Sequence, residues 1–245
     1  MLVGAMALSG CGGGDDSGSP SAGPSAEGVY GGTLTDSTSN AFQLLVLENG
    51  DFWAVYATQA STLMEVAGFV QGSGTFSNGS FTSSNAKDFG FSPAVAATAS
   101  ARYDATAKTI SGTLSSSART VTFDGGPIAG SSYDYNAAAS LTTLAGSWST
   151  TSLTGETVAL TISPAGAFTG TSSLGCSFGG TVAPRASGKN VFNVSLTFGA
   201  APCALPGQIA TGIAVANTLS SGRTQLLVAV VDSTRTYGTA AFGSR

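Results

Sequence analysis

Histidine is missing from this 245-residue chain altogether, and charged residues make up only 9% of it. The first absence removes the commonest general base, the Ser-His-Asp and Cys-His nucleophile systems, and the commonest transition-metal ligand. The second stands against a usual share of about 25%. Nine Lys plus Arg against thirteen Asp plus Glu leave a net charge of −4, with no basic patch able to neutralise a phosphate backbone. Nucleic acid is therefore not an expected partner. No Gly-x-x-x-x-Gly-Lys-Ser/Thr phosphate loop occurs, and Gly72-Ser73-Gly74 opens no helical pattern. Asp36, Asp51, Asp88, Asp104, Asp124, Asp134 and Asp232 are scattered and read as turn residues, not as an acid/base pair. These absences predict no enzyme, no metal and no cofactor.

What is abundant is glycine, 34 residues, about twice the usual share. It punctuates short alternating runs of the kind that form antiparallel hairpins. Ala41 to Leu47 and Phe52 to Tyr56 flank Asn49-Gly50, a pair suited to the two positive φ values of a type I′ turn. Ser100 to Asp104 and Thr109 to Leu114 form a second hairpin, and Arg119 to Phe123 closes that unit. The second half restarts the pattern: Gly146-Ser147-Trp148 parallels Gly28-Val29-Tyr30, and Gly166-Ala167-Phe168 parallels Gly50-Asp51-Phe52. Strand-like runs follow at 157–162, 167–171, 176–182, 190–198, 209–216, 224–231 and 236–242, enough with the Trp148 segment to close a small barrel of about eight strands. Between the halves, Asn136 to Gly146 has a capping residue, an Ala/Leu-rich helical turn and a glycine stop. The expectation is an all-β protein of two tandem small antiparallel β-barrels or half-barrels, at 28–137 and 138–245, with one shared larger structure as the alternative.

At the amino terminus an apolar run, Leu2 to Leu8, precedes Ser9-Gly10-Cys11. Leu8-Ser9-Gly10-Cys11 resembles the lipobox of bacterial lipoproteins, in which the cysteine receives a diacylglycerol and becomes the first mature residue. The resemblance implies a signal peptide over 1–10 and lipidation of Cys11. It also implies anchoring to a membrane without spanning it. Gly12 lacks the aspartate that, by the Gram-negative sorting rule, retains a lipoprotein in the inner membrane, so the outer membrane is the expected location. Residues 11–27, rich in Gly, Ser, Asp, Pro and Ala, read as a flexible linker, with Asp15 and Asp16 as solvated spacer.

Gly146-Ser147-Trp148 and Gly166 to Thr171 resemble the first strands of lipocalin and avidin-like barrels over about thirty residues. That likeness implies a barrel with Trp148 as an end plug. It does not extend to biotin, because the chain has only two tryptophans, Trp53 and Trp148. With Cys11 lipidated, Cys176 and Cys203 remain as an even pair in an exported domain and are expected to form a disulfide. Alternation puts Phe52 and Ala54 on one face of a strand, Trp53 and Val55 on the other. Trp53, Tyr56, Tyr133 and Tyr135 are accordingly the candidates for ligand or partner contact, with Phe69, Phe76, Phe81, Phe89 and Phe91 nearby in sequence. The functional expectation is a non-catalytic cell-envelope lipoprotein, attached to the membrane by its lipid, that binds a small apolar ligand or a protein partner. The alternative is an accessory lipoprotein assembling with an outer-membrane complex. A membrane-spanning barrel is disfavoured, since many runs are shorter than the roughly 9–11 residues needed to span.

Overall fold

The computed structural model describes residues 25–35, 40–59, 64–128, 130–219 and 221–245. The lipobox with Cys11, most of the linker including Asp15 and Asp16, and Asp36 lie outside the described residues. The strands are β1 (Gly28–Leu34), β2 (Ala41–Val46), β3 (Asp51–Gln59), β4 (Met64–Ser73), β5 (Thr75–Ser77), β6 (Ser80–Asp88), β7 (Val95–Asp104), β8 (Thr109–Ser116) and β9 (Thr120–Gly126) in the first half. In the second half they are β10 (Gly146–Ser152), β11 (Thr157–Ile162), β12 (Ala167–Ser172), β13 (Ser177–Pro184), β14 (Phe192–Phe198), β15 (Ile209–Thr218), β16 (Thr224–Asp232) and β17 (Gly238–Ser244). The chain is all-β and forms two closed eight-stranded antiparallel barrels in tandem.

In the second barrel β10 to β17 run up and down in chain order, and β17 pairs back onto β10. The first barrel follows the same plan with one irregularity. β1 pairs β9, and β4 pairs β6 at Val70↔Asp88 and Gln71↔Lys87, which closes the ring and leaves β5 as an extra strand hairpinned onto β6. Among the described residues closure leaves no free edge strand in the second barrel, whereas in the first β4 meets β6 over only two residue pairs.

Two local expectations are corrected. The turn with positive φ at both central residues is Asn78-Gly79, joining β5 to β6. At Asn49-Gly50 only Gly50 (φ +85) is left-handed, in a three-residue loop where the Gly50 N–H donates to Leu47 O and the Leu47 N–H to Asp51 O. The same loop recurs with Gly155, Gly166 and Gly175, because one glycine per loop meets the steric demand. The segment before Gly146 forms only a single 3-10 turn at Leu141–Thr143, whose N-terminus lacks a side-chain cap.

The duplication is carried into three dimensions. Tyr30 and Trp148 occupy matching positions on β1 and β10, both buried. Each donates from its side chain to the carbonyl four residues earlier, Tyr30 Oη to Ala26 O at 2.7 Å and Trp148 Nε1 to Leu144 O at 2.7 Å. Burial pushes the Tyr30 phenol up to about 12, so it remains a proton donor at neutral pH. Trp148 is only 3% exposed, and the Arg245 guanidinium lies 4.0 Å above its ring, so the last residue of the chain covers the end of the barrel.

Registers decide which residues meet inside. On β2 and β3, Phe42↔Tyr56, Leu44↔Ala54 and Val46↔Phe52 face the interior of the first barrel. Phe81, Phe76 and Tyr103 join them through edge-on and tilted ring contacts of 5.1–5.9 Å, so this interior is filled by aromatic side chains. Asp88, expected at a turn, lies fully buried at the end of β6. Its carboxylate accepts from Tyr56 Oη (2.6 Å), the Gly90 N–H (3.0 Å) and Arg119 (2.7 and 3.1 Å).

The outward residues of the same strands pack on the other barrel. Leu45, Trp53, Val55, Phe69 and Phe89 form one apolar cluster with Ile213 on β15, Leu227, Ala229 and Val231 on β16, and Ala240 on β17. Trp53, Phe69 and Phe89 stack in series, with centroids 6.0 and 4.7 Å apart. Polar ties rim this seam: Arg185 to Glu48 (2.8 Å), Lys87 Nζ to Arg235 O (2.6 Å), and the Ala94 N–H to Thr236 O (2.9 Å).

Candidate functional site

The four aromatic candidates do not gather into one groove, although Trp53 and Tyr133 line the same small crevice at the seam. Tyr56 points into the filled first barrel, held by Asp88. Trp53, 8% exposed, is enclosed in the seam between barrels. Tyr133 and Tyr135 lie in the connector and pack against the seam. The Tyr133 hydroxyl donates to Asn190 O, and Lys189 Nζ sits 5.2 Å from the Tyr135 ring centre. Trp53, Tyr133 and Tyr135 therefore join the two barrels while Tyr56 braces the interior of the first, and the candidate site lies at a place that the sequence did not mark.

That place is the interior of the second barrel, which holds a cavity of about 810 Å³. Strand alternation lines it. Val158, Leu160 and Ile162 come from β11, Phe168 from β12, Val194 and Leu196 from β14, and Val228 and Val230 from β16. The alternate residues Ser147, Ser149, Thr151, Thr157, Thr161, Thr169 and Thr171 face solvent. An apolar interior inside a Ser/Thr exterior is the reverse of a barrel that faces lipid. Leu144, fully buried, closes the floor beside Trp148, and the opposite end is open.

Two elements shape the mouth. The β12–β13 turn carries Leu174, 71% exposed, and is bonded through Cys176–Cys203 to the loop that brings Pro202, Ala204 and Leu205 to the rim. The expected disulfide thus fastens two rim loops across the barrel end. The other element comes from the first barrel: Phe89 to Ser92, following the buried Asp88, reach over to line the opening. Phe91, Leu174 and Tyr237 are exposed large apolar side chains that all border this cavity. Apolar groups exposed together around a cavity are a surface feature shared by binding grooves and interaction sites.

Polar groups on the wall are few. Thr150 is buried, and its hydroxyl donates to Val158 O at 3.3 Å. The Asp232 carboxylate is saturated by the N–H groups of Thr234 (3.0 Å), Thr236 (2.8 Å) and Tyr237 (2.6 Å), together with the Thr234 hydroxyl. Burial would raise the Asp232 pKa, but these donors outweigh it and hold the carboxyl below its ordinary value. Ser172 differs from both: it is 8% exposed, lines the cavity, and its hydroxyl has no hydrogen-bond partner.

Ser84-Asn85-Ala86-Lys87 has the Ser-x-x-Lys spacing of some serine nucleophile systems. Here it lies along β6, and Lys87 Nζ donates to the carbonyls of Thr234 and Arg235. Among the described residues no group of three His, Cys, Asp or Glu converges as metal ligands. No helix among them is long and apolar enough to cross a membrane. The fold and site together define a tandem β-barrel protein in which one barrel is filled and the other is hollow and open at one end. The chain matches no protein-family model and no curated protein at significant similarity.

Proposed function

We propose that this protein is a non-catalytic envelope lipoprotein that carries a small apolar molecule inside its second barrel. The observation that carries the reading is the cavity of about 810 Å³ walled by Val, Leu, Ile and Phe. Its size falls within the roughly 300–1,000 Å³ of small-molecule sites, and its lining is of the apolar kind with a few polar groups that such sites use. The first barrel serves as a rigid support, holding Phe89 to Ser92 at the mouth through the Asp88–Arg119 pair and the apolar seam. Cys11, as lipid acceptor, would keep the carrier on the outer membrane while residues 11–27 act as its tether.

Filling the cavity tests the carrier role. Ala214 lies on the inner face of β15 and lines the space. Ala214→Phe should keep the fold, since its ring enters a void, and should weaken binding of an uncharged naphthylamine dye at least tenfold. Unchanged dye binding would remove the cavity from consideration. The anchor is tested separately by Cys11→Ala, which should abolish acyl labelling and release the protein from the membrane fraction; retained labelling refutes that assignment.

A further inference from the structure

We infer that the second barrel selects neutral amphipathic molecules, an apolar body bearing a single hydroxyl or carbonyl oxygen, over carboxylates of the same length. The inference rests on the carrier reading above and adds the chemistry of its ligand. The argument begins with charge. Among the described residues the cavity wall has two ionisable carboxylic side chains, Glu156 and Asp232, and no Lys or Arg. Nearby cations are engaged by other groups: Arg119, whose guanidinium lies 5.7 Å from the Phe91 ring at the rim, is bound to Asp88, Arg235 donates to Gln71 O and Asn85 O in the first barrel, and Arg245 lies over Trp148 at the closed end. A carboxylate entering this barrel would lose its water without gaining a counter-ion, and would meet two acidic groups of its own sign.

The second part of the argument is Ser172. Its backbone is fully engaged, the N–H donating to Cys176 O and the carbonyl accepting from the Gly175 N–H. The side chain alone is unpaired and buried on the cavity wall. It stands at the end of β12 where the strand turns into the disulfide-linked rim, paired in register with Val158, which in turn pairs with Thr150. A ligand oxygen at this level accepts a hydrogen bond from the Ser172 hydroxyl, while the apolar body extends towards Leu160, Ile162, Phe168 and Leu144. An unmade buried hydrogen bond is costly, so supplying the missing partner favours the oxygenated ligand over a plain hydrocarbon.

The test uses displacement of uncharged N-phenyl-1-naphthylamine from the full chain by decanol, decanoate and decane at about pH 8, where decanoate is ionised. Decanol should displace the dye at a concentration at least about tenfold lower than decanoate, the ratio expected from one hydrogen bond and an unfavourable charge. Ser172→Ala should weaken decanol about tenfold and leave decane unchanged, so decane affinity reports that the variant barrel is intact. Decanoate binding as tightly as decanol overturns the selectivity while leaving the carrier role in place. An unaltered decanol affinity in Ser172→Ala overturns the assignment of the polar contact. Absence of dye binding by the unmodified protein removes the carrier role and the inference together.

Discussion

Replacing Trp148 by alanine probes the closed end of the hollow barrel, where its ring packs with Leu144, the residue that floors the cavity, and under Arg245. The indole is 3% exposed and packs in the cluster of Leu144, Leu160, Ile162, Phe168 and Phe192. Truncating a buried Trp to Ala costs about 3–5 kcal/mol through lost transfer and the remaining void. Two further losses follow. Leu144 O gives up its 2.7 Å donor within a buried site, worth about 1 kcal/mol or more. The Arg245 contact at 4.0 Å contributes roughly 0.5–1 kcal/mol. A total of about 5–7 kcal/mol compares with about 5–15 kcal/mol for a whole domain, so the second barrel should unfold at far lower denaturant. Trp148→Phe retains most of the packing and loses the N–H donor, and should cost about 1–3 kcal/mol. Chemical denaturation followed by far-UV dichroism measures both, and Trp53 remains in the variants as a fluorescent reporter of the seam. A Trp148→Ala protein within 1 kcal/mol of the parent would refute the plug, since a ring that seals a barrel end cannot be removed without loss.

Three other outcomes are expected. Replacing Cys176 and Cys203 together by serine removes a 27-residue closure; the chain-entropy model predicts a loss of about 3–4 kcal/mol, and hydrogen exchange should rise at the rim loops around Leu174 and Leu205 before the rest of the barrel. Asp232 has a depressed pKa in the folded state, so its stabilisation is present above the ordinary value of 3.8 and is lost as pH falls through the lower folded value. Asp232→Asn should therefore be less stable than the parent near neutrality, with the gap closing in acid; a gap independent of pH would contradict the saturated carboxylate. Gly238→Val places a side chain where a Cβ would come 2.6 Å from Phe89 Cδ1 and 2.8 Å from Phe69 Cζ. It should wedge the barrels apart, visible as a larger radius of gyration in small-angle scattering and faster proteolysis in the 127–145 connector; an unchanged radius and cleavage rate would show that the seam tolerates the insertion.

Some of the architecture was legible residue by residue. The run Thr157-Val158-Ala159-Leu160-Thr161-Ile162 alternates strictly, and it forms β11 with Val158, Leu160 and Ile162 buried. Such a strand has one wet face and one dry face, and period-two alternation reports that without any knowledge of partners. β4, β5 and β6 were harder to read, because Met64 to Asp88 is rich in Gly, Ser and Asn and its pairing is interrupted by bulges at Tyr56/Ala57 and Ser83/Ala86. One signal was present and went unread. Gln225 to Asp232 contains Leu-Leu-Val-Ala-Val-Val without alternation, the mark of a strand buried on both faces. In the structure β16 turns Val228 and Val230 to the cavity and Leu227, Ala229 and Val231 to the other barrel. The parallel run Leu44-Leu45-Val46 on β2 is its counterpart across the seam.

The sequence by itself determined that the chain is all-β, that its two halves repeat, and that Cys176 and Cys203 can pair, because alternation, turn residues and cysteine parity are local or nearly local properties. Only tertiary structure decided that one barrel is filled and the other hollow. Both interiors are apolar in the sequence, and the difference lies in which side chains reach the axis: Tyr30, Phe42, Phe52, Tyr56 and Phe81 crowd the first, whereas the second has the small Ala210 and Ala214 on one wall of its cavity. The seam likewise depended on tertiary structure, since Trp53 alternates outward from its own barrel and is buried only because β15 and β16 pack against it. Whether a buried ring packs a core or faces a cavity depends on the volume left by residues distant in the chain, and that volume exists only after both barrels have closed.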